Sequence, residues 1–259
     1  MIGLNRPLTT ANGLKLLGER NSGTNVLEAL LAQISDLHLF PSLPMLTWRD
    51  IARYSRPLSA LWRYRAAQEE TLDNWHRRDL PRTGGWKHAA PSEAFETEFL
   101  SRHQPAVLII TRHPVSWLHS MHRNPFHALH PVPADFSDFL RQTWICTARD
   151  GVANAAPPAL LAAKLHAYAR LLVHYPNSAL IRYEDLLANP EKTLSAIGLN
   201  CPPNLRLLER DPRSFAKTSS ATSYATKAAM TRFASLAEDD VSFVQNALAG
   251  SPALALYSE

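Results

Sequence analysis

The sequence predicts an α/β fold of three layers, a central parallel sheet flanked by helices. Three apolar runs, at residues 14–17, 106–110 and 178–183, have the near-continuous hydrophobicity of strands buried on both faces. Each run stops at a polar turn, and a helix-like apolar period follows. Neither an internal repeat nor a Gly/Ser-rich linker divides the 259 residues, so the strands and helices belong to one domain, 1–259.

Residues 1–13 form a polar lead-in. The first strand, Leu14-Lys15-Leu16-Leu17, ends at Gly18. The loop Glu19-Arg20-Asn21-Ser22-Gly23 follows, and Thr24 and Asn25 open a helix with Leu27, Leu30 and Leu31 on one face. Strand, Gly-containing loop and helix aim backbone N–H groups and a helix N-terminus at an anion. Ser22, Thr24 and Asn25 add side-chain donors, and Arg20 adds charge. Gly18 and Gly23 match the two glycines of a Walker A loop, but Thr24-Asn25 stands where that loop has Lys-Ser/Thr. The loop therefore suits a phosphate-bearing ligand handled without the Lys and Mg²⁺ machinery of nucleotide hydrolysis.

Residues 36–40 predict a short strand ended by Pro41. Residues 41–86 form a helical insert rich in Arg and Trp, with Trp48, Tyr54, Trp62, Tyr64 and Trp75 among many arginines; Arg49, Arg53 and Arg56 have helical spacing. Two readings stay open there: aromatic and cationic contact with a sugar or polyanion, or a solvated Arg face over core tryptophans. Gly84-Gly85-Trp86 predicts a short strand leading to Lys87-His88-Ala89-Ala90-Pro91. A neighbouring Lys disfavours the charged imidazole, which keeps His88 available as a base.

Ala106 to Thr111 is the strongest strand, with the character of a central one. It delivers Arg112 and His113, then a helix opened by Pro114. Ligands of open α/β sheets bind at the carboxyl ends of strands, where Arg112 stands with Ser120 two turns up the helix. Residues 131–174 read as helical, with Asp135 capping a helix through Phe139 and Trp144, a loop from Gly151, and a second helix opened by Pro158. Ser178 to Tyr183 is the third strand. A short helix from Pro190 to Ile197 stops at Gly198, residues 201–234 lack a period, and Ser235-x-x-Glu238 predicts a capping box for a last helix ended by Gly250.

The formal charge of +4 and pI near 9.2 favour anionic ligands. Cys146 and Cys201 fit no metal or disulfide spacing, which predicts a reducing, cytoplasmic setting. No apolar run is long enough to span a membrane, and residues 1–12 lack the basic and apolar regions of a signal peptide. His113, His119, His122, His127 and His130 lack the H-E-x-x-H pattern, so no metal is expected.

In combination the motifs resemble those of sulfotransferases that use 3′-phosphoadenosine 5′-phosphosulfate. Arg20-Asn21-Ser22-Gly23-Thr24 is similar to that family's 5′-phosphosulfate loop, K/R-S-G-T. Arg112, with Ser120 eight residues on, resembles its 3′-phosphate motif. Lys87-His88-x-x-Pro91 is similar to its K-x-H-x-P segment, and Arg182-Tyr183-Glu184-Asp185-Leu186 to Y-E-D-L. Asn21 departs from the family's basic residue, Lys87 and His88 are adjacent, and the C-terminal R-K-G-x-x-G loop is missing. The resemblance implies a P-loop-NTPase-like sulfotransferase fold and transfer to an acceptor hydroxyl, such as a carbohydrate's. It implies His88 as base, with Lys87 or Arg20 stabilising the leaving phosphate. The nucleotide would be held by Arg20, Asn21, Ser22, Gly23, Thr24, Asn25, Arg112, Ser120 and Tyr183, with Lys217, Tyr224 and Lys227 open as the residues that close over it. The alternatives are a P-loop-type phosphotransferase and a nucleic-acid-binding module built on residues 47–82.

Overall fold

In the computed structural model, residues 6–41, 61–125, 129–207 and 233–257 are described. Trp48, Tyr54, the Arg49/Arg53/Arg56 face, His127, Lys217, Tyr224 and Lys227 lie outside the described residues, as do the side chains of Trp62 and Tyr64.

The chain runs β1 (Leu14–Gly18), α1 (Thr24–Leu31), α2 (Leu61–Thr83), a π-helical turn Phe95–Leu100, β2 (Ala106–Thr111), α3 (Pro114–Arg123) and α4 (Phe136–Arg141). It continues with β3 (Trp144–Ile145), β4 (Asn154–Ala155), α5 (Pro157–His174), β5 (Ser178–Arg182), α6 (Tyr183–Ala188), α7 (Pro190–Ser195), α8 (Glu238–Leu248) and α9 (Pro252–Leu256). β2 is central, parallel to β1 on one side and β5 on the other. The register pairs Gly18 with Ile110 and Thr111 with Arg182. All three turns that the sequence marks as binding elements therefore leave the same edge of the sheet.

Every residue of β1 and β2 is buried, and alternation sends them to two cores. Leu17, Val107, Ile109 and Leu180 meet Trp117, Phe139, Leu165 and Val244 from α3, α4, α5 and α8. Leu14, Leu16, Leu108, Ile110 and Ile181 meet Leu27, Leu186 and Leu194 from α1, α6 and α7. The result is a three-strand parallel sheet with helices on both faces, as predicted.

Several local expectations are corrected. Residues 36–40 make a single parallel bridge, Leu39 to Leu14, rather than a strand. Gly84 and Gly85 form no strand; both have positive φ, and a Cβ on Gly85 would sit 2.2 Å from His76 Nδ1. The chain turns there to pack against α2. The helix capped by Asp135 stops at Arg141, because the fully buried Trp144 is delivered into the core from β3, paired with Ala155 of β4. α5 begins at Pro157, one residue early. Ser235 closes a 3₁₀ turn, and Ala237 rather than Ser235 is the N-cap of α8. α9 was not foreseen.

Candidate functional site

The loop after β1 is held by its own polar groups. Glu19 accepts the Arg20 N–H at 2.6 Å, and the Ser22 N–H and hydroxyl both turn back to the Glu19 carbonyl, at 3.1 and 2.5 Å. Asn21 has φ +62°, a left-handed conformation that Asn tolerates. Its amide reaches the end of α3, donating to Met121 Sδ (2.9 Å), Asn124 O (3.1 Å) and Ser120 O (3.5 Å). At position 21 a short amide thus links the loop to the helix that carries Ser120.

Gly23 is the N-cap of α1 at φ +95°. A Cβ there would lie 2.2 Å from the Tyr183 ring, so glycine is required by conformation and by contact alike. No side chain caps α1, and no described acceptor takes the N–H groups of Gly23, Thr24 or Val26. These outward N–H groups are the anion-binding feature expected of such a turn. Thr24 packs its methyl close to Gly18.

Arg112 leaves β2 and lies across the loop. Its Nη1 donates to Asn21 O at 3.1 Å, its Nε donates to Ser116 Oγ at 2.8 Å, and its guanidinium lies 5.0 Å from the Tyr183 ring centre. No described carboxylate forms an ion pair with it. The Ser120 hydroxyl makes no hydrogen bond to a described residue. Asn21 is thus the meeting point of Arg112 and Ser120, and Tyr183 lies under both Gly23 and Arg112.

The segment Trp86-Lys87-His88 runs beside β1, with Gly18 N–H donating to Lys87 O at 2.9 Å. Lys87 is buried; its Nζ donates to Asn25 Oδ1 and Glu28 Oε2, both at 2.8 Å, on the first turns of α1. His88 Nδ1 lies 2.7 Å from Gly18 O, and its ring stands edge-on to Trp86. A carbonyl oxygen only accepts, so Nδ1 carries the proton and the lone pair of the neutral ring is on Nε2. Burial, reinforced by Lys87, holds the His88 pKa well below the usual histidine value.

Arg20 is placed differently from its expected role. Its guanidinium donates to Glu69 of α2 at 2.9 and 3.1 Å and stacks on Trp86, 4.4 Å from the ring centre. Arg149 covers the same indole at 4.4 Å and shares Glu69, with Asp73 3.1 Å away. Beneath His88, the fully buried Lys164 donates to His88 O (2.7 Å) and Asp150 Oδ1 (2.9 Å) and pairs with Glu19 (3.2 Å). Glu69, Arg149, Asp150 and Lys164 carry no motif. Lys15 did carry a signal, a cation inside an apolar strand, and it is fully buried.

His119 stacks on Phe136, His122 packs on Phe136 and Phe139, and His130 faces Thr143 O. No three potential metal ligands cluster among the described residues. An open groove of about 800 Å³ lies at the amino ends of the strands, lined by Asn12, Glu96, Gln104 and Asn177 among others. It holds a carboxylate and no Lys or Arg, a poor match for phosphate. Among the described residues no helix is long and apolar enough to cross a membrane. No family model matches the chain, and no curated protein matches it.

Proposed function

We propose that the chain is a sulfotransferase that moves a sulfuryl group from 3′-phosphoadenosine 5′-phosphosulfate to an acceptor hydroxyl. The observation that carries this reading is the junction at Asn21. Arg112 donates to the Asn21 carbonyl, the Asn21 amide reaches the Ser120 carbonyl on α3, the uncapped N–H groups of α1 follow two residues on, and Tyr183 lies against Gly23 and Arg112. A nucleotide with phosphates at both its 3′ and 5′ positions calls for two such anion sites side by side.

The donor set fits that nucleotide. The N–H groups at the head of α1 hold the 5′ end, Arg112 and Ser120 hold the 3′-phosphate, and Tyr183 flanks the base. The bound nucleotide supplies an activated sulfuryl group on a phosphate leaving group. His88 keeps its proton on Nδ1 and receives the acceptor hydroxyl's proton at Nε2. Lys87, at the head of α1, supplies positive charge toward the leaving phosphate. Arg20, committed to Glu69 and Trp86, braces the loop from behind. The acceptor is a polar hydroxyl compound such as a carbohydrate, approached from the side of the insert. The free thiols Cys146 and Cys201 suit the cytoplasm.

A thermal-shift series with adenosine 3′,5′-bisphosphate, ATP, GTP and NAD, with and without Mg²⁺, tests the proposal. At a hundredfold excess over Kd the bisphosphate stabilises by about 2.7 kcal/mol, a rise of several degrees, without Mg²⁺. A larger, Mg²⁺-dependent shift with ATP or GTP assigns the site to a phosphotransferase instead.

A further inference from the structure

The carboxylate of Glu184 stands between the two turns that frame the Arg112 site. Glu184 is the second residue of α6, directly after Tyr183, and its Oε1 accepts the N–H of His113 at 2.9 Å. That bond ties the β5–α6 turn, which carries Tyr183, to the β2–α3 turn, which carries Arg112. Across the same gap the Arg112 guanidinium lies over the Tyr183 ring. The His113 N–H belongs to the peptide plane joined to Arg112. Holding it fixes the rotation of that plane, and with it the direction in which the Arg112 side chain leaves the backbone. The guanidinium sits at the end of a long, flexible stem, so a small error in that direction is magnified at its tip. Among the described residues, Glu184 Oε2 is buried without a hydrogen bond, and burial raises the Glu184 pKa despite nearby Arg112. A buried carboxyl kept at this cost beside an anion-binding arginine calls for a role other than stability.

We propose that Glu184 is the positioning residue that aims Arg112, and that it sets the preference for a nucleotide bearing a 3′-phosphate over one lacking it. This rests on the reading that the 3′-phosphate lies at Arg112. The 5′ end is held by the loop and the head of α1, which Glu184 does not touch. Its loss therefore acts first on 3′-phosphate recognition.

The test compares calorimetric Kd values for adenosine 3′,5′-bisphosphate and adenosine 5′-phosphate in the full chain. Wild type is expected to prefer the bisphosphate by at least tenfold. Glu184→Asp keeps the charge and shortens the reach; it is expected to cut that preference at least threefold with 5′-phosphate affinity within twofold of wild type. Glu184→Gln keeps an oxygen acceptor at full reach and is expected to retain the preference. Thermal melts confirm that both variants are folded, and two near-isosteric changes avoid reliance on Glu184→Ala. A preference retained by Glu184→Asp overturns the role of Glu184 alone, as does a preference lost equally in Glu184→Gln. A wild type that does not prefer the bisphosphate overturns the nucleotide reading itself.

Discussion

The Gly18 carbonyl decides which nitrogen of His88 bears the proton, and the buried setting beside Lys87 decides that the ring stays neutral. The protonated ring is the inactive form of a base. In the proposed transfer, activity that depends on His88 is therefore lost only as pH falls through its depressed pKa. The acid limb of kcat/KM, which reports the free enzyme, is expected below the ordinary histidine range; a limb at or above 6.5 counts against this setting. His88→Ala is expected to lower kcat by about 10²–10⁴ with calorimetric affinity for adenosine 3′,5′-bisphosphate unchanged. Retained turnover moves the base elsewhere, with Glu19 the next candidate. Arg112→Ala is expected to raise the Kd for the bisphosphate at least tenfold, about 1.4 kcal/mol, the scale of one charge-assisted hydrogen bond; an unchanged Kd removes Arg112 from the site. Both residues stand out in the sequence as candidates, because a His beside a Lys and an Arg at a strand end are local patterns. The tautomer does not, because Gly18 lies 70 residues from His88.

The elements divide the same way. β1, α1, β2, α3 and β5 were readable because apolar period, glycine and proline act within a few residues of themselves. How α2 docks was not, because its key carboxylate finds its partners 49 and 80 residues away. Glu69 lies between Arg20 of the loop and Arg149 of the segment joining β3 to β4, and both guanidiniums stack on Trp86. These contacts make the described part of the insert a brace for the loop. The more exposed arginines of α2 behave otherwise: Arg77 bonds Asn74 and Arg78 bonds Asp79 at the surface. Breaking a buried ion network by removing its shared member leaves charge uncompensated. Glu69→Ala is expected to cost about 3–5 kcal/mol in urea unfolding, with Glu69→Gln costing less. A loss under about 1 kcal/mol, the usual worth of a surface pair, means that the network does not hold α2 to the loop.

At the scale of the molecule, Lys15 joins the sheet to the insert. Its Nζ donates to Pro41 O at 2.9 Å and to Gly85 O at 2.6 Å, carbonyls that bracket residues 42–84. Burial, aided by Lys87 and opposed by Glu28, brings its pKa down to about 7. In the unfolded chain a Lys titrates near 10.4. Below pH 7 both states hold the proton, and the fold bears the full cost of a buried ammonium. Between about 7 and 10 the unfolded chain keeps a proton that the folded chain has released, so stability must rise with pH. Deprotonation does not open the joint, since a neutral amine still has two N–H donors for the two carbonyls. Lys15→Met isolates the effect from the other titrating groups. The unfolding free energy of wild type minus that of Lys15→Met is expected to grow from pH 7 to pH 9, with an upper limit of about 1.4 kcal/mol per pH unit. A difference that stays flat shows that Lys15 keeps its proton throughout. The carbonyls would then have to supply more of the ammonium's solvation than two hydrogen bonds in a buried site account for.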